Sequence, residues 1–543
     1  MKLQPTGRWD RETTLVGQLA AAVSLVAFLF YFRHGDLLLY GDAVAHINIA
    51  RRVIDSMTPG LLQLGTVWLP LPHLLMIPFL FSDAAWQTGI AGSIPSMVAY
   101  VLGTVGVFRL VLGALSHDAK PSTTVRASAW LAALIYAGNP SLLYLQTTAM
   151  TEPLYLALFI WALVHFSEFV RAGAGTGLRP ASWSLTKCGL CVAGACLTRY
   201  DGWWLAVVLG IAAVLVALRS DHKHSPGRAL TRFVLLAVAG PALWLGYNAI
   251  VYRNPLEFAN GPYSARAIEH KSMQSHPGAH DLPVAFSYFL KSAELNMTEA
   301  GWQRLWVGVL LVGTLMIFVF DLRLWPLLLL WTPLIFYVLS IAYGGVPIYL
   351  PPWWPFSLYN VRYGLELLPA FAVFAAMLLH FLLALARGRG MKAAVGAVIV
   401  GLVAASYASV WRAQPICYRE ARVNSATRIT LETELASNLR LLPHHSTLLM
   451  YLGDHVGAVQ RAGIPLRQTI NEGNHRTWAK PSDPEGLWER ALADPHQYAD
   501  YVVAMDGDPV AKQVQRRGLT SVVVVHTVGQ PAATIYWTGR VTR

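Results

Sequence analysis

The sequence is short of charge. Asp, Glu, Lys and Arg make up 13% of its 543 residues, where a soluble globular domain carries about 25%. With 55% hydrophobic residues and a mean hydropathy of +0.43, this deficit excludes an ordinary soluble domain and points to a polytopic membrane protein. Acidic residues are the scarcer sign, 30 against 42 basic, for a formal charge of +12. In a soluble chain that excess would suggest nucleic acid. Here much of the basic charge falls in short loops between apolar runs, where it sets membrane orientation, and no nucleic-acid partner follows. Cysteine is nearly absent: Cys188, Cys191, Cys196 and Cys417 are the four, and no disulfide framework is implied. Cys188 and Cys191 form a C-x-x-C inside an apolar run, without nearby His or a further Cys pair, and read as small buried hydrophobes. No internal repeat or low-complexity tract stands out. Aromatic residues, by contrast, are plentiful, with 19 Trp and 22 Tyr, many near the ends of apolar runs where interfacial anchors sit.

A helix needs about 20 apolar residues to cross a bilayer. Candidate spans are 14–32, 90–115, 126–140, 152–170, 186–198, 202–219, 231–252, 302–320, 324–342, 364–386 and 392–411, about eleven in all. The first follows Lys2, Arg8 and Arg11. It is long for a signal-peptide core and no small-residue cleavage site follows, so a retained span is expected. With the N-terminus cytoplasmic, the inner loops hold Lys120, Arg126, Arg171, Arg179, Lys187, Arg219, Lys223, Arg228, Arg232, Arg387, Arg389 and Lys392. The outer segments are longer in total yet hold fewer, mainly Arg51, Arg52, Arg199, Arg253, Arg266, Lys271, Lys291 and Arg362. This asymmetry satisfies the positive-inside rule and places the C-terminus outside. Residues 66–82 (TVWLPLPHLLMIPFLFS) are apolar but short and carry Pro70, Pro72 and Pro78. Counting them as a span would invert every later loop, so they are expected to lie in or dip into the outer interface.

From about residue 412 the composition changes. STLLMYLG, YADYVVAMDG and LTSVVVVHTVG read as strands, and DHVGAVQRAG and DPVAKQVQRRG as short helices. The alternation predicts a small α/β domain. The expected organisation is a transmembrane domain over 1–411 and an extracytoplasmic α/β domain over 412–543.

On this topology the ionisable residues gather at one face. Asp42 lies just outside the first span, in LLLYGDAVAHINIARRV. Glu152, in MTEPL, stands at the outer mouth of the fourth span, and Arg199 and Asp201, in LTRYDGWW, in the outer turn between the fifth and sixth. NPLEFANGPYSARA, with Tyr263 and Arg266, is an outer loop, and YNVRYGLELLPA puts Arg362 and Tyr363 at the outer start of the tenth span. Ionisable groups near a membrane tend to be functional, because inserting one costs roughly 2.5–3.5 kcal/mol on translocon scales. Arg51 and Arg52 are accounted for by an amphipathic surface helix. His46 and His73 read as packing, hydrogen-bonding or substrate-contacting residues rather than metal ligands. Asp506 and Asp508 form a D-x-D after a strand, where a turn explains them.

A first span followed at once by an Asp-containing helix resembles the GT-C membrane glycosyltransferases, in particular their protein-mannosyltransferase and aminoarabinose-transferase branch. The proline-containing segment 68–80 occupies the place of that branch's PPL element, MTEPL resembles its second acidic site, and NVRYGLELLP resembles a late Arg-Tyr element facing the lipid donor. The resemblance covers roughly residues 14–411. The branch often has Asp-Glu where this chain has Asp42-Ala43, and adjacent prolines where it has PLPHLL, so the acceptor is not carried over.

The resemblance implies an inverting transfer of a sugar from a polyprenyl-phosphate donor at the extracytoplasmic membrane face. The leaving group is already a phosphate, so one carboxylate base and cations for the phosphate suffice; a glycosidase needs a paired acid because its leaving group is poorer. Asp42 is the expected base, and Glu152 would orient the acceptor or share the base role. Arg362, with Arg199, would hold the phosphate, and His46, His73, Tyr263, Arg266 and Tyr363 are candidate substrate contacts. No metal ligand and no certain cofactor is implied, and a divalent cation stays open. The competing reading is a secondary transporter of a polar or anionic solute. Transporters usually bind at mid-membrane on interrupted helices of repeated halves, whereas these acids stand at helix mouths.

Overall fold

A computed structural model describes residues 10–116, 121–173, 181–219, 226–261, 264, 267, 275–299, 301–474, 485–514 and 517–540. The candidate contacts Tyr263 and Arg266 lie outside the described residues, as do Lys120, Arg179, Lys223 and Lys271 of the charge asymmetry.

The protein is an integral membrane protein of helical architecture. Among the described residues, nine helices are long and apolar enough to cross a membrane. Two further expected spans, 126–140 and 186–198, fall in the shorter helices Thr123–Gly138 and Ala181–Cys196, of 16 residues each. Both are inside the bundle all the same: Ala181–Cys196 packs against Glu152–Gly173 and Pro226–Tyr252, and Thr123–Gly138 against Ile90–Leu115 and Leu368–Leu385. Leu368–Leu385 is the central helix, buried along most of its length, while Arg11–His34 lies at the periphery with most of its apolar surface open to lipid.

Local sequence explains where the chain turns towards the site. Gly35 closes the first helix at φ 75°, its N–H reaching Phe32 and Tyr31 O, a left-handed cap that glycine takes without strain. A 3-10 turn, Asp36–Leu38, follows, and the helix Gly41–Arg52 starts after two intervening residues. In the segment 66–82 the prolines leave only the short helix Leu71–Met76 and a 3-10 turn Ile77–Phe79, and this piece packs on Gly41–Arg52. Farther on, the 3-10 segment Val361–Leu367 leads into Leu368–Leu385. A Cβ on Gly364 would collide with the Ser292 and Ala293 backbone, so only glycine lets this segment lie directly on the helix Leu282–Met297.

Past residue 412 a helix that the sequence pattern did not predict, Ile416–Leu439, precedes the sheet. The five strands are β1 Leu448–Met450, β2 Thr469–Ile470, β3 Tyr501–Met505, β4 Thr520–Val525 and β5 Ala533–Trp537. Their order is β2-β1-β3-β5-β4, with parallel pairs β1/β2 and β1/β3 and antiparallel pairs β3/β5 and β4/β5. Side chains alternate across the sheet. Met450, Val503 and Met505 join the large core that also contains Tyr40, Ile47 and Leu435, whereas Leu449, Val502 and Ala504 pack a smaller core with Trp488. One face of the sheet is therefore continuous with the core of the membrane bundle.

Candidate active site

Asp42, Glu152 and Asp201 each stand in the first turn of a helix, Gly41–Arg52, Glu152–Gly173 and Asp201–Arg219. Free backbone N–H groups and the helix dipole favour negative charge there. The three helix starts converge with Val361–Leu367, which delivers Arg362.

Arg362 is the hub. Its Nε donates to Glu152 Oε1 at 3.1 Å, Nη1 to Glu420 Oε1 at 3.2 Å and Nη2 to Asp42 Oδ2 at 2.6 Å. Arg199 approaches from the other side. Its Nη1 reaches the same Glu152 Oε1 at 3.1 Å and Thr151 Oγ1 at 3.0 Å. Its Nε meets Asp201 Oδ2 at 3.2 Å, and Nη2 the Tyr337 hydroxyl at 2.7 Å. Tyr337 in turn donates to Asp201 Oδ2 at 2.9 Å. Glu152 is thus a shared anion between two cations. The Tyr363 ring supports both guanidinium groups, with Arg199 Cζ 5.1 Å and Arg362 Cζ 5.0 Å from its centroid, and stacks on Tyr337. Glu366 completes the interior, 3.8 Å from Arg199 Nε.

Exposure separates these groups. The side chain of Asp42 is 39% exposed, while those of Glu152 and Glu420 are at 1%. Asp42 is therefore the carboxylate on Arg362 that an incoming molecule can reach, and the other two lie behind the cation.

His46, one turn beyond Asp42 on the same helix, is buried, and its Nδ1 lies 2.8 Å from His73 Nε2. Its ring packs on Trp68 with centroids 4.8 Å apart. Burial, then the positive Arg362 and Arg199, push His46 down to about 3. Burial and the neighbouring His46 and Arg52 likewise lower His73. Both imidazoles are neutral near pH 7, so the pair is a neutral hydrogen bond that fixes the short proline segment against the Asp42 helix.

The structure corrects or extends several expectations. Arg51 is not a solvated surface charge: it is buried, its guanidinium 2.8 Å from Asp55, 2.6 Å from Asp83 and over the Trp86 ring. Asp508 accepts from the Met505 and Ala511 N–H groups, capping the helix Pro509–Val514, and Gly507 takes φ 86° in the turn before it. Among the described residues no group of three His, Cys, Asp or Glu side chains could hold a metal ion. Not every group of the site comes from the expected transmembrane domain over 1–411, because Glu420 belongs to Ile416–Leu439. Sequence reasoning missed Glu420, Glu366, Tyr337 and Tyr40, whose ring faces Arg362 at 5.3 Å. Glu366 had a visible signal, four residues after Arg362. Glu420 had none, since it sits among the many charges of a polar helix.

No protein-family model matches the sequence, and no curated protein matches it. Solved structures do. ArnT from Cupriavidus metallidurans bound to undecaprenyl phosphate superposes with a TM-score of 0.54 at 13% identity, over 95% of this chain and 97% of that one. Its apo form gives 0.53 at 14% identity, with the same coverage. The archaeal oligosaccharyltransferase AglB from Archaeoglobus fulgidus, in complex with an inhibitory peptide and a dolichol-phosphate, gives 0.50 at 14% identity, over 91% of this chain and 69% of that one. The fold is GT-C. Within this GT-C fold the likeness extends over nearly the whole chain, the C-terminal segment included.

Proposed function

We propose that this chain is an inverting glycosyltransferase that moves a sugar from a polyprenyl-phosphate donor to an acceptor at the extracytoplasmic membrane face. One observation carries the reading: a half-exposed carboxylate, Asp42, lies 2.6 Å from a buried arginine that two further carboxylates hold from behind. Read as base and phosphate-binding cation, this carboxylate and guanidinium would stand side by side, as a displacement at a sugar carbon next to a phosphate requires. The solved neighbours bound to undecaprenyl phosphate and to a dolichol-phosphate support a polyprenyl-phosphate donor.

In the proposed step the acceptor oxygen attacks the anomeric carbon. The new carbon–oxygen bond forms as the bond to the phosphate oxygen breaks. The electron pair leaves on the phosphate, which Arg362 and Arg199 stabilise by charge-assisted hydrogen bonds, and the acceptor proton passes to Asp42. Glu152 keeps the two guanidinium groups at a fixed separation. Residues 412–543 are read as the extracytoplasmic α/β portion, with the N-terminus on the cytoplasmic side.

The test is transfer itself. Purified full-length protein in nanodiscs, given membrane extract as acceptor source and a panel of radiolabelled polyprenyl-phosphate sugars, is expected to move label from at least one donor. Unlabelled undecaprenyl phosphate should inhibit that transfer. Absence of transfer from every donor, together with no binding of undecaprenyl phosphate, would overturn the reading.

A further inference from the structure

Glu420 belongs to no expected site, yet of the three carboxylates on Arg362 it accepts the most hydrogen bonds. Its Oε1 accepts from the Asn360 N–H at 2.8 Å and from Arg362 Nη1 at 3.2 Å, and its Oε2 from the Val361 N–H at 3.1 Å, with the Tyr40 hydroxyl 3.3 Å away and shared with Cys417 O at 2.8 Å. Asn360 takes a left-handed φ of 56° at the head of the 3-10 segment Val361–Leu367, and its own side chain makes no capping bond there. The first N–H groups of that segment would otherwise be unpaired in a buried place, which is unfavourable. Glu420 supplies the cap from a different helix, and the same carboxylate holds the guanidinium two residues on.

Arg362 therefore has two kinds of partner. Glu152 and Glu420 are buried and bind Nε and Nη1, whereas Asp42 is half-exposed and binds Nη2. From this we infer that Glu420 is a positioning residue that fixes Arg362 so that Nη2 alone is free to exchange Asp42 for an incoming phosphate. The helix just beyond the last membrane span thus sets the anion affinity of a site inside the bundle. The inference rests on the phosphate-binding role given to Arg362 above.

A simple charge argument makes the opposite forecast. Glu420→Gln removes a negative charge close to the phosphate site, and without a positioning role it should tighten anion binding. With that role, the amide NH₂ faces donors and cannot serve both the backbone pair and the guanidinium, so binding should weaken. The experiment measures undecaprenyl phosphate binding to full-length protein in nanodiscs for wild type, Glu420→Gln, Asp42→Asn, Arg362→Ala and the Glu420→Gln/Arg362→Ala double variant. We expect Glu420→Gln to raise Kd about tenfold, Asp42→Asn to leave Kd unchanged or lower it, and the double variant to bind no worse than Arg362→Ala. Tighter or wild-type binding by folded Glu420→Gln, or losses that multiply in the double variant, overturn the inference while leaving the glycosyltransferase reading standing. No binding by wild type removes the phosphate role and the inference with it. If Glu420→Gln does not accumulate, Glu420→Asp keeps the charge but is one methylene short of bridging both partners; it should weaken binding too, and a wild-type Kd for it overturns the inference.

Discussion

Arg362 and Asp42 stand 320 positions apart in the sequence, yet Nη2 of one lies 2.6 Å from Oδ2 of the other. The contact joins the first extramembrane helix to the start of the central helix. If Arg362 binds phosphate as proposed, Asp42 is the partner that an incoming phosphate would displace.

Asp42→Asn is nearly isosteric but takes up no proton near neutral pH. Loss of a general base typically costs 10²–10⁴-fold, roughly 3–5 kcal/mol of transition-state stabilisation. We expect kcat for sugar transfer to fall by that factor while donor binding holds. Retention of more than about a tenth of wild-type kcat by Asp42→Asn, with Glu152→Gln inactive yet folded, would move the base to Glu152.

Glu152→Gln should behave differently, because Glu152 Oε1 accepts from both Arg362 and Arg199. Removing its charge leaves two buried cations with less compensation, and breaking a buried pair costs about 3–5 kcal/mol. The thermal unfolding midpoint should drop by several degrees, with donor binding weakened as well. A wild-type midpoint would show that the shared anion does not hold the arginines.

The neutral His46–His73 pair predicts an acid-sensitive contribution to stability. In the unfolded chain each imidazole takes a proton below about 6.5, whereas the folded His46 resists until about 3, and His73 is lowered too. The unfolded state then binds more protons, so this contribution is complete above about pH 7 and shrinks as pH falls from 6.5 towards 3. Comparing unfolding of wild type with His46→Gln/His73→Gln, the stability difference should be constant above pH 7. It should fall on acidification by up to about 1.4 kcal/mol per pH unit for each histidine. A difference that grows in acid would contradict the burial of neutral rings.

Orientation is testable by substituted cysteines. Leu61 and Val528 are exposed, one following the Asp42 helix and the other on the turn between β4 and β5. Leu61→Cys and Val528→Cys, each in a background lacking the four native cysteines, should both react with an impermeant maleimide from outside intact cells. Protection of both would invert the topology.

Asp508 offers a control away from the site. Asp506→Ala/Asp508→Ala removes the cap on Pro509–Val514 and should cost about 0.5–2 kcal/mol of stability. Sugar transfer should be largely intact, whereas its abolition in folded protein would point to a metal-binding role for the D-x-D.

The sequence alone carried the membrane architecture, because crossing a bilayer imposes a local rule: about 20 consecutive apolar residues are required, and hydropathy reports them directly. The same rule made Asp42, Glu152, Arg199 and Arg362 conspicuous as charges at helix mouths. A different local signal, short apolar runs between turn residues, made the strands β1, β3 and β4 legible. β2, two residues long, and β5 exist because neighbouring strands pair with them. The helix Ile416–Leu439 shows no clear apolar periodicity because Glu420, Ser425 and Glu432 take buried positions on it, facing Tyr40, the Val361 segment and the helix Val456–Ala462.

Only the tertiary structure decided which charge meets which. Arg362 finds Glu152 from 210 positions away and Glu420 from 58, and no local pattern encodes those pairings. The same holds for burial: Arg51 and Glu420 look like surface charges in an amphipathic or polar helix until Asp55, Asp83, Asn360 and Tyr40 close over them. A residue's hydropathy states what it costs to bury. Whether it is buried, and what offsets that cost, depends on elements distant in sequence that only folding brings into contact.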